Sequence, residues 1–382
     1  MKFFVHTQKP YPVVMAHDLF DCLGEMVLQL HPRCKVALLC DDYVYSEYGQ
    51  QVVRALESES YRPCHIALPA GEACKAWAVL GEVLETLAVE GFTRGDLLLA
   101  LGGGSTCDLG GLAAALYHRG MGVVYLPTTL LAGVDAAIGG KTAVDLPAGK
   151  NLAGVIRQPL AVIFDENCLD TLSEEAMADG MAEAIKTGIL AGDKLWELVN
   201  DPDPFYTSIM EHCAEYKAQV VAEDELDNNC RLALNLGHTV GHAIERHSDY
   251  TVTHGKAVAI GLATMARAGA ALGWCCSETA EQILSALRLH GLPVRYDCRL
   301  EELLPYLWGD KKRQGETLTA VLPLSIGRCA LKKMDQPQLL QLLQHRNLWY
   351  IHILIFYDSY IQIVPFLFTP DAYMLPHDRP QK

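Results

Sequence analysis

The sequence lacks an uninterrupted apolar run of the roughly 20 residues that a membrane-spanning helix needs. The nearest approach, WYIHILIFYDSYIQIVPFLF from Trp349 to Phe368, is interrupted by Asp358 and Ser359 and broken by Pro365. Positive charge is also scarce. Lys and Arg total 31 against 46 Asp and Glu, and the formal net charge of -15 repels nucleic acid and acidic membrane surfaces. An anionic substrate therefore needs a local cationic pocket. Cysteine pairs at CxxC spacing are absent although the chain has 13 cysteines, several of them inside apolar helical patterns, so a reducing compartment is expected rather than a disulfide framework. The opening MKFFVHTQKPYP has only a short apolar cluster before polar residues and Pro10, unlike a secretory or transit segment, and a cytoplasmic location is the expectation. Glycine (31) and proline (18) are too few, and the hydrophobic share of 50% too high, for a disordered or fibrous chain.

What is present is an alternation. Between Lys35 and Asp165, short apolar runs (KVALLC, HIAL, DLLLAL, VVYLP and AVIFD) alternate with longer amphipathic stretches, and the first three recur at the length of a βα repeat. The pattern predicts an open, Rossmann-like, mostly parallel sheet, with ligands beyond the carboxyl ends of its strands, where Asp41, the glycines after Leu101, and Thr128 and Thr129 fall. After Asp165 the strand signal almost vanishes. Thr171 and Glu174 form a candidate capping box for a helix to about Leu190, and helical patterns cover 206–225, 230–247, 254–272, 277–289 and 301–307. The expected fold class is thus α/β plus α: residues 1–170 a nucleotide-binding sheet domain, 171–346 a helical metal-binding domain, and 347–382 an atypical apolar and aromatic extension. The cleft between the domains is the default site.

Three groups of residues suit chemistry. LGGGSTCDLGG, Leu101 to Gly111, follows a strand and opens a helix, so Gly102, Gly103 and Gly104 offer backbone N–H groups to a phosphate; the spacing is not GxGxxG and does not separate NAD from ATP. From Thr128 to Asn151, hydroxyls, Asp135, Lys141 and Lys150 are interleaved with glycines, as in a cationic pocket, although a solvated loop also accounts for the charges. In the helical half, Glu183 and Lys186 are three residues apart on an Ala- and Met-rich helix, where a surface ion pair is the simpler alternative. His238 and His242 are four apart with Asn235 one turn earlier, and His254 opens the next element. Two or three histidines and one glutamate suit a zinc site with an open position, but spacing alone does not choose between His238–His242 and other sets.

Taken together, GGGSTCDLGG, YHRG, LPTTLLAGVDAAIGGKTAVDLPAGKNLAG, MAEAIKTGI, RLALNLGHTVGHAIE, HGKAVAIG and GDKK closely resemble the 3-dehydroquinate synthase family, within the wider sugar phosphate cyclases, over roughly Lys35 to Leu343. The resemblance implies conversion of 3-deoxy-D-arabino-heptulosonate 7-phosphate to 3-dehydroquinate and phosphate, by transient NAD oxidation, phosphate elimination, reduction and intramolecular aldol closure. It also implies a homodimer that uses NAD and zinc, or cobalt in its place. It assigns the metal to Glu183, His238 and His254, and His242 to the substrate phosphate. Its nucleotide contacts fall on Asp41, Glu72, Lys75, Gly103, Gly104, Ser105, Asp108, Thr128, Thr129, Asp135, Lys150, Thr171 and Leu172. Its substrate contacts fall on Asp135, Lys141, Lys150, Asn151, Lys186, Lys217, Arg231, Asn235 and one of Lys311 and Lys312, with Arg119 reaching across the dimer.

The chain departs from the family pattern in two places. Ser105, Thr106 and Cys107 stand in a usually small or aliphatic stretch, with side chains expected to face away from a ligand held by backbone. Lys256 replaces the usual Glu after His-Gly and is expected to lower metal affinity by its charge. A polyol dehydrogenase of similar two-domain plan is the rival enzyme class, and it has no use for Lys141, Lys150, Asn151, Lys217 and Arg231. A non-enzymatic metal-binding scaffold is a third reading, which leaves the polar cleft without a purpose. The extension beyond Arg346 lies outside the resemblance, and its removal is expected to leave catalysis intact.

Overall fold

The computed structural model describes residues 1–307, 317–344 and, for the backbone, 313–314 and 362–363. Lys311, Lys312 and the apolar C-terminal segment singled out above lie outside the described side chains.

A seven-stranded sheet is built from β1 (Lys2–Val5), β2 (Tyr11–Ala16), β3 (Val36–Asp41), β4 (Pro63–Leu68), β5 (Leu97–Gly102), β6 (Gly122–Pro127) and β9 (Ala161–Asp165), with β7 (Lys141–Leu146) and β8 (Gly149–Ile156) forming a separate antiparallel hairpin. The sheet order is β1-β2-β9-β6-β5-β3-β4, parallel throughout except for β1 against β2. The central strands are apolar without interruption because both of their faces are covered. Val36, Leu38 and Cys40 of β3 and Leu97, Leu99 and Leu101 of β5 point into one cluster, with the helices Leu23–Leu30 and Gln50–Ser58; the alternate residues Ala37, Leu39, Leu98 and Ala100 point into the other. That second cluster takes in the helices Trp77–Val89 and Gly104–Leu116 and continues without a break into the helical half of the chain. The chain leaves β3 toward β4, then crosses back to β5 and proceeds to β6 and β9. The direction of winding therefore reverses between β3 and β5, the place where such sheets open a crevice at their carboxyl ends.

After β9 come the helices Glu174–Ala191, Asp193–Val199, Tyr206–Glu223, His238–His247, His254–Ala271, Ser277–Leu289 and Leu300–Leu307. Several expectations need correction here. The Glu174 helix is capped by Ser173, whose hydroxyl accepts from Ala176 N at 3.2 Å, while Thr171 closes a preceding 3-10 turn and is not part of a capping box. The segment 230–247 is two elements, because Gly237 in the left-handed region (φ 80°) separates the turn Cys230–Asn235 from the helix His238–His247. The second half is not free of strands. β11 (Thr317–Ser325) and β12 (Arg328–Met334) form an antiparallel hairpin, flanked by two-residue pairings of β10 (Arg313–Gln314) and β13 (Gln362–Ile363). No described helix is long and apolar enough to cross a membrane.

Candidate active site and metal centre

Three elements bring the metal-type residues together. Glu183 lies midway along the Glu174–Ala191 helix, His238 opens the helix after the Gly237 turn, and His254 opens the next. Glu183 Oε1 is 3.3 Å from His238 Nε2 and 3.2 Å from His254 Nε2, so one carboxylate oxygen faces both imidazoles. His242 stands beside them, with ring centroids 5.4 Å from His238 and 6.2 Å from His254. A second grouping, His242, Glu245 and His254, overlaps the first. In it, Glu245 Oε2 faces His254 Nδ1 at 3.3 Å, and Glu245 Oε1 accepts from Lys150 Nζ at 3.0 Å.

Burial and charge compete across this cluster. Burial raises the pKa of Glu183, but Lys186 and His238 hold it well below the usual carboxylate range. His238 is lowered, chiefly by burial. Burial works against a charge on His254 too, yet Glu183 and Glu245 push it up to about 10. Both carboxylates favour positive charge at this imidazole, and the donor atoms of Glu183, His238 and His254 lie close enough together to share one divalent ion.

Lys186 joins this cluster to a second one. Its ammonium lies 2.5 Å from Glu183 Oε2 and 2.5 Å from Asp135 Oδ2, and it is fully buried. The i, i+3 pair is thus an internal bridge, not a surface ion pair. Asp135 also receives Lys217, whose pKa burial lowers to about 8, with Arg231 and Lys186 adding to the fall and Asp135 opposing it. Arg231 is fully buried and donates from its terminal nitrogens to Gly139 O at 2.9 Å and Glu225 O at 2.8 Å; its Nε is buried with no hydrogen-bond partner among the described residues. Gly139 must be glycine: its φ is 94°, and a Cβ there would lie 2.4 Å from the Arg231 guanidinium. Lys141, at the start of β7, pairs with Asp227 and is half exposed.

The nucleotide-type residues form a third group at the β3–β5 crevice. Gly103 begins the Gly104–Leu116 helix without a side-chain cap, leaving its first N–H groups to backbone or ligand. Thr129 flanks this turn, and the buried Thr128 donates its N–H to Gly102 O at 3.0 Å. Ser105 does not turn away from the group as the sequence led one to expect: its hydroxyl donates to Glu72 Oε2 at 2.7 Å, whereas Thr106 and Cys107 are buried. Lys75 Nζ is 2.7 Å from Asp108 Oδ2 and also bonds Asn151 Oδ1. Lys150 Nζ is 3.2 Å from Glu72 Oε1. Asp41, at the end of β3, caps the following turn by accepting from Val44 N at 2.9 Å. Thr171, which leads into Leu172, shares a hydrogen bond with Tyr48 from the turn after β3. The stretch containing Lys141, Lys150 and Asn151 is therefore the β7–β8 hairpin and not a loop, and Asn151 is held in the left-handed region (φ 53°) with its N–H on Asp145.

Four sequence-singled residues stand apart or pair differently. Asn235 Nδ2 donates to Leu232 O at 3.1 Å, within its own turn. Arg119 is exposed in the tight turn Tyr117–Arg119, which is separate from the glycine-turn helix ending at Leu116, and touches none of the three groups. Lys256 turns to Glu175 at the surface, so its charge is neutralised away from the metal cluster. Thr171 caps no helix. Sequence reasoning missed Glu245, Asp227 and Asp224, which contact His254, Lys141 and the Arg231 backbone. Glu245 had a signal, since it follows His242 by three residues and so shares its helix face.

A reversed-winding sheet crevice beside a Glu–His–His cluster and a cationic wall defines a cofactor-dependent enzyme of the α/β-plus-α type. Family models described as 3-dehydroquinate synthase N-terminal and C-terminal match residues 65–179 and 180–313. The 3-dehydroquinate synthase of Streptococcus suis (strain 05ZYH33) is 37% identical over 344 residues, 88% of this chain and 97% of that relative. The chain belongs to the 3-dehydroquinate synthase family. Two solved structures share the fold: 2-deoxy-scyllo-inosose synthase complexed with carbaglucose-6-phosphate, NAD+ and Co2+ (TM-score 0.81, 21% identity, 90% of this chain and 99% of that one) and 2-epi-5-epi-valiolone synthase from Streptomyces hygroscopicus subsp. jinggangensis 5008 with NAD+ and Zn2+ bound (TM-score 0.80, 23% identity, 88% and 95%).

Proposed function

We propose that this chain is an NAD- and metal-dependent lyase that converts 3-deoxy-D-arabino-heptulosonate 7-phosphate to 3-dehydroquinate and phosphate, the reaction of its family. The observation that carries the proposal is the Lys186 bridge, which sets the metal-type cluster directly against the cationic one. Glu183, His238 and His254 fit a divalent ion: three protein ligands leave a position open, and Glu183 Oε1 faces the Nε2 atoms of both imidazoles while Lys186 holds Oε2. When bound, zinc or cobalt supplies Lewis acidity at the substrate hydroxyl, and NAD supplies a redox couple restored within each turnover.

The chain's own residues bind and orient. Asp41, Glu72, Lys75, Gly103, Gly104, Ser105, Asp108, Thr128, Thr129, Thr171 and Leu172 hold the nucleotide, with Asp135 and Lys150 facing both it and the substrate. Lys141, Asn151, Asn235 and His242 hold the phosphate, and Arg119 reaches into the site of the partner subunit of a homodimer. Arg231 receives the substrate carboxylate with Lys311 or Lys312; its unpartnered Nε supports that role. Lys186 and Lys217 fix Asp135 and add charge next to the leaving group. The departing phosphate accepts the substrate proton, so no separate base is needed, and ion-paired contacts set its direction. Residues 1–170 serve the nucleotide, 171–346 serve metal and substrate, and the extension 347–382 has no catalytic part.

Purified protein with catalytic NAD should release phosphate from the heptulosonate substrate without accumulating NADH. NADH growing in step with substrate loss would point to a net dehydrogenase. Faster turnover of sedoheptulose 7-phosphate or glucose 6-phosphate, which lack the carboxylate, would overturn the role of Arg231.

A further inference from the structure

Glu245 is the most buried acid in the site after Glu183, and nothing above gives it a part in the chemistry. It sits on the helix His238–His247, one turn beyond His242, with a side chain 2% exposed. Its two oxygens are used in opposite directions. Oε2 meets His254 Nδ1 at 3.3 Å, and Oε1 meets Lys150 Nζ of the β7–β8 hairpin at 3.0 Å. Lys150 in turn stands over the Tyr250 ring at 4.7 Å and reaches Glu72 at 3.2 Å. A carboxylate that accepts from Nδ1–H leaves the other imidazole nitrogen with its lone pair free, and His254 Nε2 is the atom facing Glu183. Glu245 therefore faces the outer side of the ring.

We propose that Glu245 is a positioning residue that fixes the tautomer and angle of His254 for metal binding through Nε2, and that Lys150 holds Glu245 in place as its partly buried countercharge. The hairpin that faces the nucleotide turn is thereby tied to the metal centre. This rests on the metal-centre reading given above. The overlapping grouping of His242, Glu245 and His254 is a rival arrangement in which Glu245 would itself be a ligand; its Oε1 is already committed to a lysine, whereas Glu183 Oε1 faces two imidazole nitrogens.

Metal-free full-length protein should be titrated with zinc against a competing chelator and, separately, with cobalt while the visible absorption of the ion is recorded. Glu245→Ala should weaken zinc binding by roughly 10- to 100-fold, the usual effect of losing such a partner, and shift the cobalt bands. Glu245→Gln keeps an oxygen that accepts from Nδ1–H, so it should restore the cobalt bands and most of the affinity; it also keeps the test open should the alanine variant fail to fold. Lys150→Met should weaken zinc binding in the parent but not in the Glu245→Ala background, the non-additivity of residues acting through one another. Zinc affinity within threefold of the parent in folded Glu245→Ala, with cobalt bands unmoved, overturns the proposal. So does a Gln variant no better than Ala, which would make Glu245 a ligand. Failure of the parent itself to bind zinc or cobalt would instead overturn the metal-centre reading.

Discussion

In the proposed metal centre, losing any one of Glu183, His238 or His254 leaves two protein atoms to hold an ion, too few for tight binding. Glu183→Ala, His238→Ala and His254→Ala are each expected to purify without metal and without activity, whereas His242→Ala keeps the metal and loses activity. Metal analysis of the four variants is the check, and metal lost from His242→Ala alone would reverse the assignment. Spacing by itself made His238 with His242 the easy pair without choosing it, and their rings do meet edge to face. What spacing does not contain is which imidazole faces a carboxylate placed 55 residues earlier on another helix; the choice of Glu183, His238 and His254 came from resemblance, and Glu183 Oε1 faces both imidazoles in the structure.

At the scale of elements, four of the five strands legible in the sequence, β3, β5, β6 and β9, are buried on both faces, and a continuous apolar run needs no partner to be recognised; HIAL, in the partly exposed edge strand β4, was legible from its short apolar run alone. β8 was not legible: GKNLAGVI is largely exposed and carries Gly, Lys and Asn, the composition of a loop. The β11–β12 hairpin was missed because its strands follow a long helical region and bury only part of their surface. Helix–sheet contact was foreseen better, since paired glycines in GGGSTCDLGG point to close approach. A Cβ at Gly111 would lie 2.1 Å from the buried Tyr125 hydroxyl and 2.4 Å from Thr142 Cγ2. Gly111→Ala should therefore destabilise by about 1–3 kcal/mol through overpacking. Gly81, inside the Trp77–Val89 helix with nothing within 4 Å of its Cβ position, should respond with the opposite sign, Gly81→Ala stabilising by roughly 0.5–1 kcal/mol. Denaturant unfolding of the two variants checks both, and equal signs would contradict the packing described.

At the scale of the whole molecule, Arg119 is the residue whose proposed role cannot be met within one chain. The turn that carries it is held by backbone in the left-handed region at His118 (φ 47°) and Arg119 (φ 63°), and its side chain is exposed. Arg119→Ala and Lys141→Ala should each be nearly inactive. Mixed under conditions of subunit exchange, they should regain one competent site in every heterodimer, which has an intact Lys141 on one chain and an intact Arg119 on the other. Verified heterodimers without recovered activity would return Arg119 to its own subunit or remove it from catalysis.

The strand pair at the sheet edge bears on how such a chain is made. β2 finds its parallel partner only in β9, Val13 opposite Val162 and Met15 opposite Phe164, so once β2 is made its parallel neighbour is still about 150 residues away along the chain. At typical synthesis rates that interval is on the order of ten seconds. During it, β2, whose Tyr11 ends buried with its hydroxyl accepting from Gly139 N, has only the adjacent β1 to pair with. The nascent chain must keep β2 from pairing elsewhere until β9 has been translated.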